Sequence, residues 1–500
     1  MLTIICLLTL SAICSAQTTP EPWKVVPEEV DPIYWQKEAE KFIAAACERF
    51  PVLQKEKPAK NVILFLGDGM GIPTIAASRF YLADRSGLNG SAVMHPFESW
   101  PYSTVARTYD LETVVTDSAS SANAYLTGCK TRTGMIGVTG KLHYKQCGVW
   151  DKKDYTQSAL KAAAAKGKAT GILTTTRITH ASPAGCFGHV TYRDFEGDIN
   201  LKDVCGEEYT KMKCQDLACQ LAVENREINV MIGGGAKNFY PNGTLIPNQR
   251  GKKGTRLDNR TLVDEWMNYH EKAGHKYKYI NSPQDFNLAD LSDTDYLLCL
   301  PYDDHMPYTD EKSADEPSLM RYTQAAIKIL QKNPNGFFLH SMDEMLEFDK
   351  AIQAAMDLVN LEETLIIVTA DHSHSFGLYG HPSRFHSVLD LDNGYSCIMT
   401  LDKKPMTAIG YLTGPAGLTN ETRSDPSKDD IWSWKYKQQA LVPLFYSTHG
   451  GDDVGVYATG PFSRLFTKTI DNTFISQAMK YAMGVYPYDN IEPCKGRTKA

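Results

Sequence analysis

The sequence predicts an α/β fold in which a large central, mostly parallel sheet lies between helices, and three observations predict it. Runs rich in β-branched residues are apolar on both faces, as strands are when helices cover both sides of a sheet: NVILFLGDG from Asn61, ATGILTTT from Ala169, INVMIGGG from Ile228 and TLIIVTADHSH from Thr364. Helix-forming stretches such as SALKAAAAKG from Ser158 alternate with these runs. Polar residues gather where the runs end, the position at which such sheets place their functional groups. There is no internal repeat or low-complexity tract. Residues 380–445 break the rhythm with Gly, Pro and Asn, as a small subdomain inserted in a single catalytic domain over 17–500 would.

Composition bounds the function. A chain of 500 residues with 42% hydrophobic and 22% charged positions has ample core to be stable alone. Its 52 basic and 59 acidic residues give a net charge of -7 with no basic run, which excludes a nucleic-acid partner. After the N-terminus no segment approaches the ~20 unbroken apolar residues of a transmembrane helix. The opening MLTIICLLTLSAICSAQ is a short apolar stretch ending in small residues; it reads as a signal peptide over 1–16, although the usual positive charge is missing and a short buried strand is the competing reading. The mature chain is expected to be secreted and extracellular.

Two further features agree with export. Of twelve cysteines, Cys6 and Cys14 fall in the signal, leaving ten. Cys205, Cys214 and Cys219 cluster in a polar loop without C-x-x-C pairing, so disulfides are expected there and not a zinc ribbon. Four N-x-[ST] acceptors, at Asn89, Asn242, Asn259 and Asn420, lie in polar stretches suited to surface glycosylation.

The candidate site follows from the strand ends. Asp68 closes the first run in FLGDGMG, Asp117 and Ser118 follow the apolar TVV, His180 and Ser182 come after ILTTT, and Asp371, His372 and His374 end LIIVTADHSH. Singly, each has a bland reading as helix cap, turn or core histidine. Together, at corresponding ends of one sheet, they point to a site. Ser118 has no histidine near it in sequence to take its proton, and a metal ion can lower its proton affinity instead. Aspartate and neutral histidine suit zinc. Ser118 also opens the helical stretch SASSANAYLTG, whose unpaired backbone N–H groups and dipole favour phosphate, and Arg193 in GHVTYRDF can hold two oxyanions. Metal, serine and arginine around an anion describe phosphoryl transfer.

The segments VILFLGDGMG, TDSASSANAYLTG, TTTRITHASPAGCFGH, PSLMRYTQAAIKIL, NPNGFFL, VTADHSHSF and YKQQALVPLFYSTHGGDDVGVYATGP, in that order, resemble those of animal alkaline phosphatases from about Tyr34 to the helix near Thr473. The resemblance implies that Ser118 is the nucleophile that becomes phosphoserine and Arg193 the phosphate clamp, with Asp117 and His180 beside them. It implies one Zn2+ on Asp68, Asp371 and His372, a second on His449, and Mg2+ on Asp68 and Ser182. It further implies a homodimer, small phosphomonoester substrates, and a crown subdomain at 380–445.

The chain departs from that family after GFFL, where a loop should carry a glutamate for magnesium and an aspartate and a histidine for the second zinc. Here Leu339 runs into HSMDEMLEFDKAIQAAMD, which resembles the helix following that loop, so the loop is expected to be deleted. In this stretch Met342, Met345, Leu346, Ile352 and Met356 recur as a helical core face, which leaves Glu344 and Glu347 on a solvated face. His340 and Asp343, nearer the strand end, are the candidate substitutes. The favoured reading is a metal-dependent phosphomonoester hydrolase acting through phosphoserine at alkaline pH. A catalytically impaired binder of metal or phosphate is the alternative. A diesterase or sulfatase is the third reading, and the contexts of Ser118 and Arg193 speak against it. The polar tail YPYDNIEPCKGRTKA lacks the apolar segment of a lipid-anchor signal.

Overall fold

In the computed structural model, residues 24–88, 93–342, 345–392, 400–419, 422–433, 435–489 and 494 are described. The expected signal and the acceptors Asn89 and Asn420 lie outside them; Asn242 and Asn259 are exposed. Among the described residues fifteen strands follow in chain order: β1 (Asn61–Gly67), β2 (Tyr102–Arg107), β3 (Ala169–Arg177), β4 (Val230–Gly234), β5 (Tyr277–Ile280), β6 (Tyr296–Cys299), β7 (Phe337–Met342), β8 (Thr364–Ala370), β9 (Ser373–His374), β10 (Phe376–Leu378), β11 (Ile409–Gly414), β12 (Ala440–Pro443), β13 (His449–Gly450), β14 (Val454–Thr459) and β15 (Ile470–Asp471). Ten of them form one sheet in the order β15-β2-β14-β8-β1-β7-β3-β4-β6-β5. Only β14 runs against the others, pairing antiparallel with both β8 and β2. At the centre β1, β7 and β8 are buried at every position, which is why these runs carry no polar alternation.

The connections place the polar strand ends side by side. β1 pairs in parallel with β8 from Asn61↔Thr364 to Gly67↔Ala370, so Asp68 and Asp371 emerge at the same level. β7 separates β1 from β3. The helix Ser118–Thr127 is buried along its whole length, and its small residues let the helix Thr473–Met483 pack close. Ser476, Gln477 and Lys480 of the latter donate to the carbonyls of Leu126, Gly128 and Thr127, satisfying the C-terminal end of the serine helix. Gly128 closes that helix in the left-handed conformation at φ 86°.

Within 380–445, β11 and β12 join β10 in a three-stranded sheet separate from the large one. Among the described residues three disulfides form, Cys47–Cys494, Cys147–Cys205 and Cys214–Cys219. The expected Cys205, Cys214 and Cys219 are therefore all bridged, one of them to a distant partner.

Two local expectations are corrected. Residues 113–115 are not a strand: Asp110 Oδ1 accepts from the N–H groups of Glu112 and Thr113 in an Asx turn, and Val114 is 83% exposed. His340 to Met342 are strand and not helix. β7 continues through Met342 because its backbone stays paired with β1 and β3, and the helix Met345–Leu358 begins only three residues later.

Candidate active site

Ser118 stands at the first position of its helix with only 3% of its surface exposed. Asp117 precedes it as the N-cap and accepts from Ala119 N and Ser120 N at 3.2 and 3.1 Å, and from Gly134 N at 2.9 Å. The unpaired N–H groups expected of this first turn are thus largely taken by the cap. An anion beside Ser118 must be held mainly by Arg193, which donates to Asp117 Oδ2 at 3.0 Å and to His180 Nε2 at 3.3 Å. Burial alone would raise the Asp117 carboxyl, but the Arg193 charge and bonds from Ser120 and Gly134 outweigh it and hold the group ionised. Burial, and then Arg193, push His180 down to about 4, so its imidazole is neutral.

The histidine missing from the local sequence arrives through the fold. His372 Nδ1 lies 2.9 Å from the carbonyl oxygen of Ser373, so Nδ1 carries the proton and Nε2 accepts from Ser118 Oγ at 2.9 Å. That same Nε2 is 3.2 Å from Asp371 Oδ2 and 3.8 Å from Asp68 Oδ1. Asp371 Oδ1 accepts from Gly69 N and His372 N, both at 2.9 Å, while its Oδ2 is buried with no hydrogen-bond partner. Burial, and then the neighbouring Asp68 charge, push the Asp371 carboxyl up to about 7. A cation among these groups would relieve that repulsion and satisfy the orphaned oxygen. The ligand atoms of Asp68, Asp371 and His372 all lie within 4.8 Å of one another, so the donor set fits zinc.

Ser182, on the short helix Ala181–Ala184, donates to Asp68 Oδ2 at 3.3 Å. These two oxygens alone are a sparse set for magnesium, which takes six in octahedral array. His449 comes in on β13, its ring stacked on His372 with centroids 3.7 Å apart and its Nδ1 donating to Thr116 O at 2.9 Å. All nine sequence-predicted residues, Asp68, Asp117, Ser118, His180, Ser182, Arg193, Asp371, His372 and His449, therefore belong to one continuous set of contacts.

The proposed substitutes fare differently. His340 sits in the middle of β7, opposite Leu64 and Ile172, fully buried against the Tyr125 ring and away from the converging ligand atoms. Glu347 is not on a solvated face: it is 6% exposed and pairs with Lys350 at 3.2 Å, because the helix Met345–Leu358 turns this side inward. Asp343 and Glu344 lie outside the described residues. The residue that the ligand assignment missed is His374, whose ligand atom lies within 4.8 Å of those of His372 and His449. The signal was the H-S-H spacing, since alternate residues of an extended segment share a face. Gly69, at φ 64°, is needed for the same reason: a Cβ there would lie 2.1 Å from His374 Cδ2.

A family model described as alkaline phosphatase matches residues 59–485. The chain belongs to the alkaline phosphatase family. The alkaline phosphatase of Gadus morhua is 36% identical over 478 residues, covering 91% of this chain and 98% of that protein. The tissue-nonspecific isozyme of Homo sapiens is 35% identical over 483 residues, with 92% and 90% covered. A membrane-bound alkaline phosphatase of Bombyx mori is 35% identical, with 92% and 86% covered. Among solved structures, the alkaline phosphatase of Thermus thermophilus superposes with a TM-score of 0.59 at 20% identity over 87% of this chain and 95% of that one, and that of the Antarctic bacterium TAB5 with 0.55 at 20% identity, 86% and 99%. These two show the fold, the doubly covered sheet with its polar strand ends. Two residues separate Met342, at the end of β7, from Met345, where the next helix begins.

Proposed function

We propose that this chain hydrolyses phosphomonoesters with the help of metal ions, using Ser118 as the nucleophile. The observation that carries the reading is the bond between Ser118 Oγ and His372, beside the buried Asp371, next to an Asp117 that holds Arg193. Arg193, held by Asp117, presents two N–H groups to the phosphoryl oxygens and keeps phosphorus facing Ser118. As the Oγ–P bond forms, the hydroxyl proton leaves, the P–O bond to the alcohol breaks, and the alcohol departs protonated. Water then cleaves the phosphoserine, releasing phosphate and restoring the hydroxyl. Zinc on Asp68, Asp371 and His372, when bound, supplies the positive charge that lowers the proton affinity of the serine hydroxyl. Magnesium is assigned to Asp68 and Ser182.

The same reading makes the chain a secreted, glycosylated homodimer with a crown at 380–445, in which the loop bearing three further ligands is deleted after Leu339. The decisive experiment quenches the enzyme in acid during turnover and maps phosphate by mass spectrometry. A phosphate on the Ser118 peptide is expected, and Ser118→Ala should lose it with turnover cut by orders of magnitude while phosphate still binds. Near-normal turnover in that variant would refute the assignment.

A further inference from the structure

One buried carboxylate ties together the segments that carry Arg193 and its neighbour His180. Glu196, 7% exposed, follows Arg193 by three positions, and Thr179 directly precedes His180. The guanidinium of Arg177, the last residue of β3, forks onto that carboxylate, with Nε donating to Oε2 at 2.8 Å and Nη2 to Oε1 at 2.7 Å. Thr179 Oγ1 and Asn238 Nδ2 donate to the same Oε2 at 2.6 and 3.3 Å. Burial alone would raise the Glu196 carboxyl, but the bonds and charge of Arg177 outweigh it and hold the group ionised. Arg177 is itself braced: its Nη1 donates to Asp304 Oδ1 at 2.8 Å, and Asp304 also takes Lys237. The segments following β3, β4 and β6 are thus gathered around the Arg193 loop.

This network ends on the contact between Arg193 Nη2 and His180 Nε2, 3.3 Å apart. No other hydrogen bond holds the His180 ring, since its Nδ1 is buried with no partner among the described residues. Its place comes through the backbone, where His180 N donates to Arg177 O at 2.8 Å. On the other side, the carbonyls of Phe195 and Glu196 accept from Leu217 N and Ala218 N at 2.8 and 3.0 Å, which anchors the stretch after Arg193. We propose that Arg177 and Glu196 are positioning residues for phosphate: their fork sets the spacing of His180 and Arg193, and with it the direction in which Arg193 offers its remaining N–H groups. A displaced guanidinium keeps its charge but loses its alignment with two phosphoryl oxygens. The inference rests on the reading of Arg193 as the clamp.

The test measures binding of inorganic phosphate to the metal-loaded full-length chain by isothermal titration calorimetry. Arg177→Lys and Glu196→Asp keep every charge and spoil only the fork, so phosphate affinity should fall at least about fivefold in each. Arg193→Ala supplies the second arm. In that background the same two changes should alter phosphate affinity by less than about twofold, because nothing is left for them to position. Thr179→Val, which removes one donor to Glu196 and no charge, takes the place of any variant that circular dichroism shows to be unfolded, and should weaken phosphate by about threefold. Unchanged affinity in the folded variants means that the fork positions nothing, and equal losses with and without Arg193 mean a general loosening of the fold; either overturns the proposal. If Arg193→Ala alone binds phosphate as tightly as the original protein, the clamp reading falls and takes the proposal with it, an outcome distinct from a working clamp with an idle fork.

Discussion

Replacing Lys480 by methionine should change how stability depends on pH, by an amount set by burial. Lys480 is 3% exposed on the helix Thr473–Met483, and its Nζ donates to Thr127 O at 2.7 Å and Gln157 O at 2.8 Å. Burial pulls this ammonium down to about 8, against ~10.4 for an unfolded lysine. Because the folded value is the lower one, the unfolded chain binds more protons between those two values, and the free energy of unfolding rises with pH across that window. Below pH ~8 both states are protonated and the penalty for burying the charge is constant. At about 1.4 kcal/mol per pH unit, the gap amounts to ~3 kcal/mol. Urea unfolding of the metal-free protein and of Lys480→Met at pH ~7 and ~10.5 measures it, other titrations cancelling between the two chains. The original protein should gain ~3 kcal/mol relative to the variant on going to the higher pH. Parallel behaviour within about 0.5 kcal/mol would refute the reasoning.

Three other outcomes are expected. Arg193→Lys loses the planar fork and its hold on Asp117, so inorganic phosphate should inhibit at least about tenfold more weakly; an unchanged inhibition constant would remove Arg193 as the clamp. Gly69→Ala forces a Cβ into the His374 ring at a positive φ, and kcat/KM should fall by at least about tenfold, with a stability cost of ~1 kcal/mol from the backbone alone; full activity would show that the turn can move aside. Cys494→Ser opens the link to Cys47, 447 positions away, and should lower stability by ~2–5 kcal/mol in urea unfolding, against no change if the tail is held by packing alone.

The central strands were legible because they are buried on both faces: β1, β4 and β8 are buried at every position and β3 over its first six residues, so each carries an apolar run without polar alternation. The edges were not. β5 is a half-buried four-residue strand and β15 only two residues, and neither carries a period long enough to read. The strand ends gave the candidate site its residues, yet its geometry depended on contacts across 254 positions, such as Ser118 to His372, that no local pattern encodes. Asp117 was readable as a helix cap from its place before SASS, and with that reading the N–H groups of the first turn would have been counted as taken. The stretch after β7 misled because Met342 and Ile352 also fit a helical spacing. Pairing with β1 and β3 on both flanks decides in favour of strand there.

The Thr116 carbonyl that orients His449 belongs to the same short stretch as Asp117, which holds Arg193, and Ser118 itself. An ion on the free nitrogen of His449 and a phosphate on Arg193 would therefore both act on this stretch of three consecutive residues. Coupling of this kind is reciprocal: whatever factor the ion adds to phosphate affinity, phosphate adds to the affinity for the ion. With a factor above one, the end product of the reaction guards the cofactor. Chelators should strip the metal slowly from a chain saturated with phosphate and quickly from one kept free of it, so that the phosphate level of the surroundings sets how long a molecule stays active.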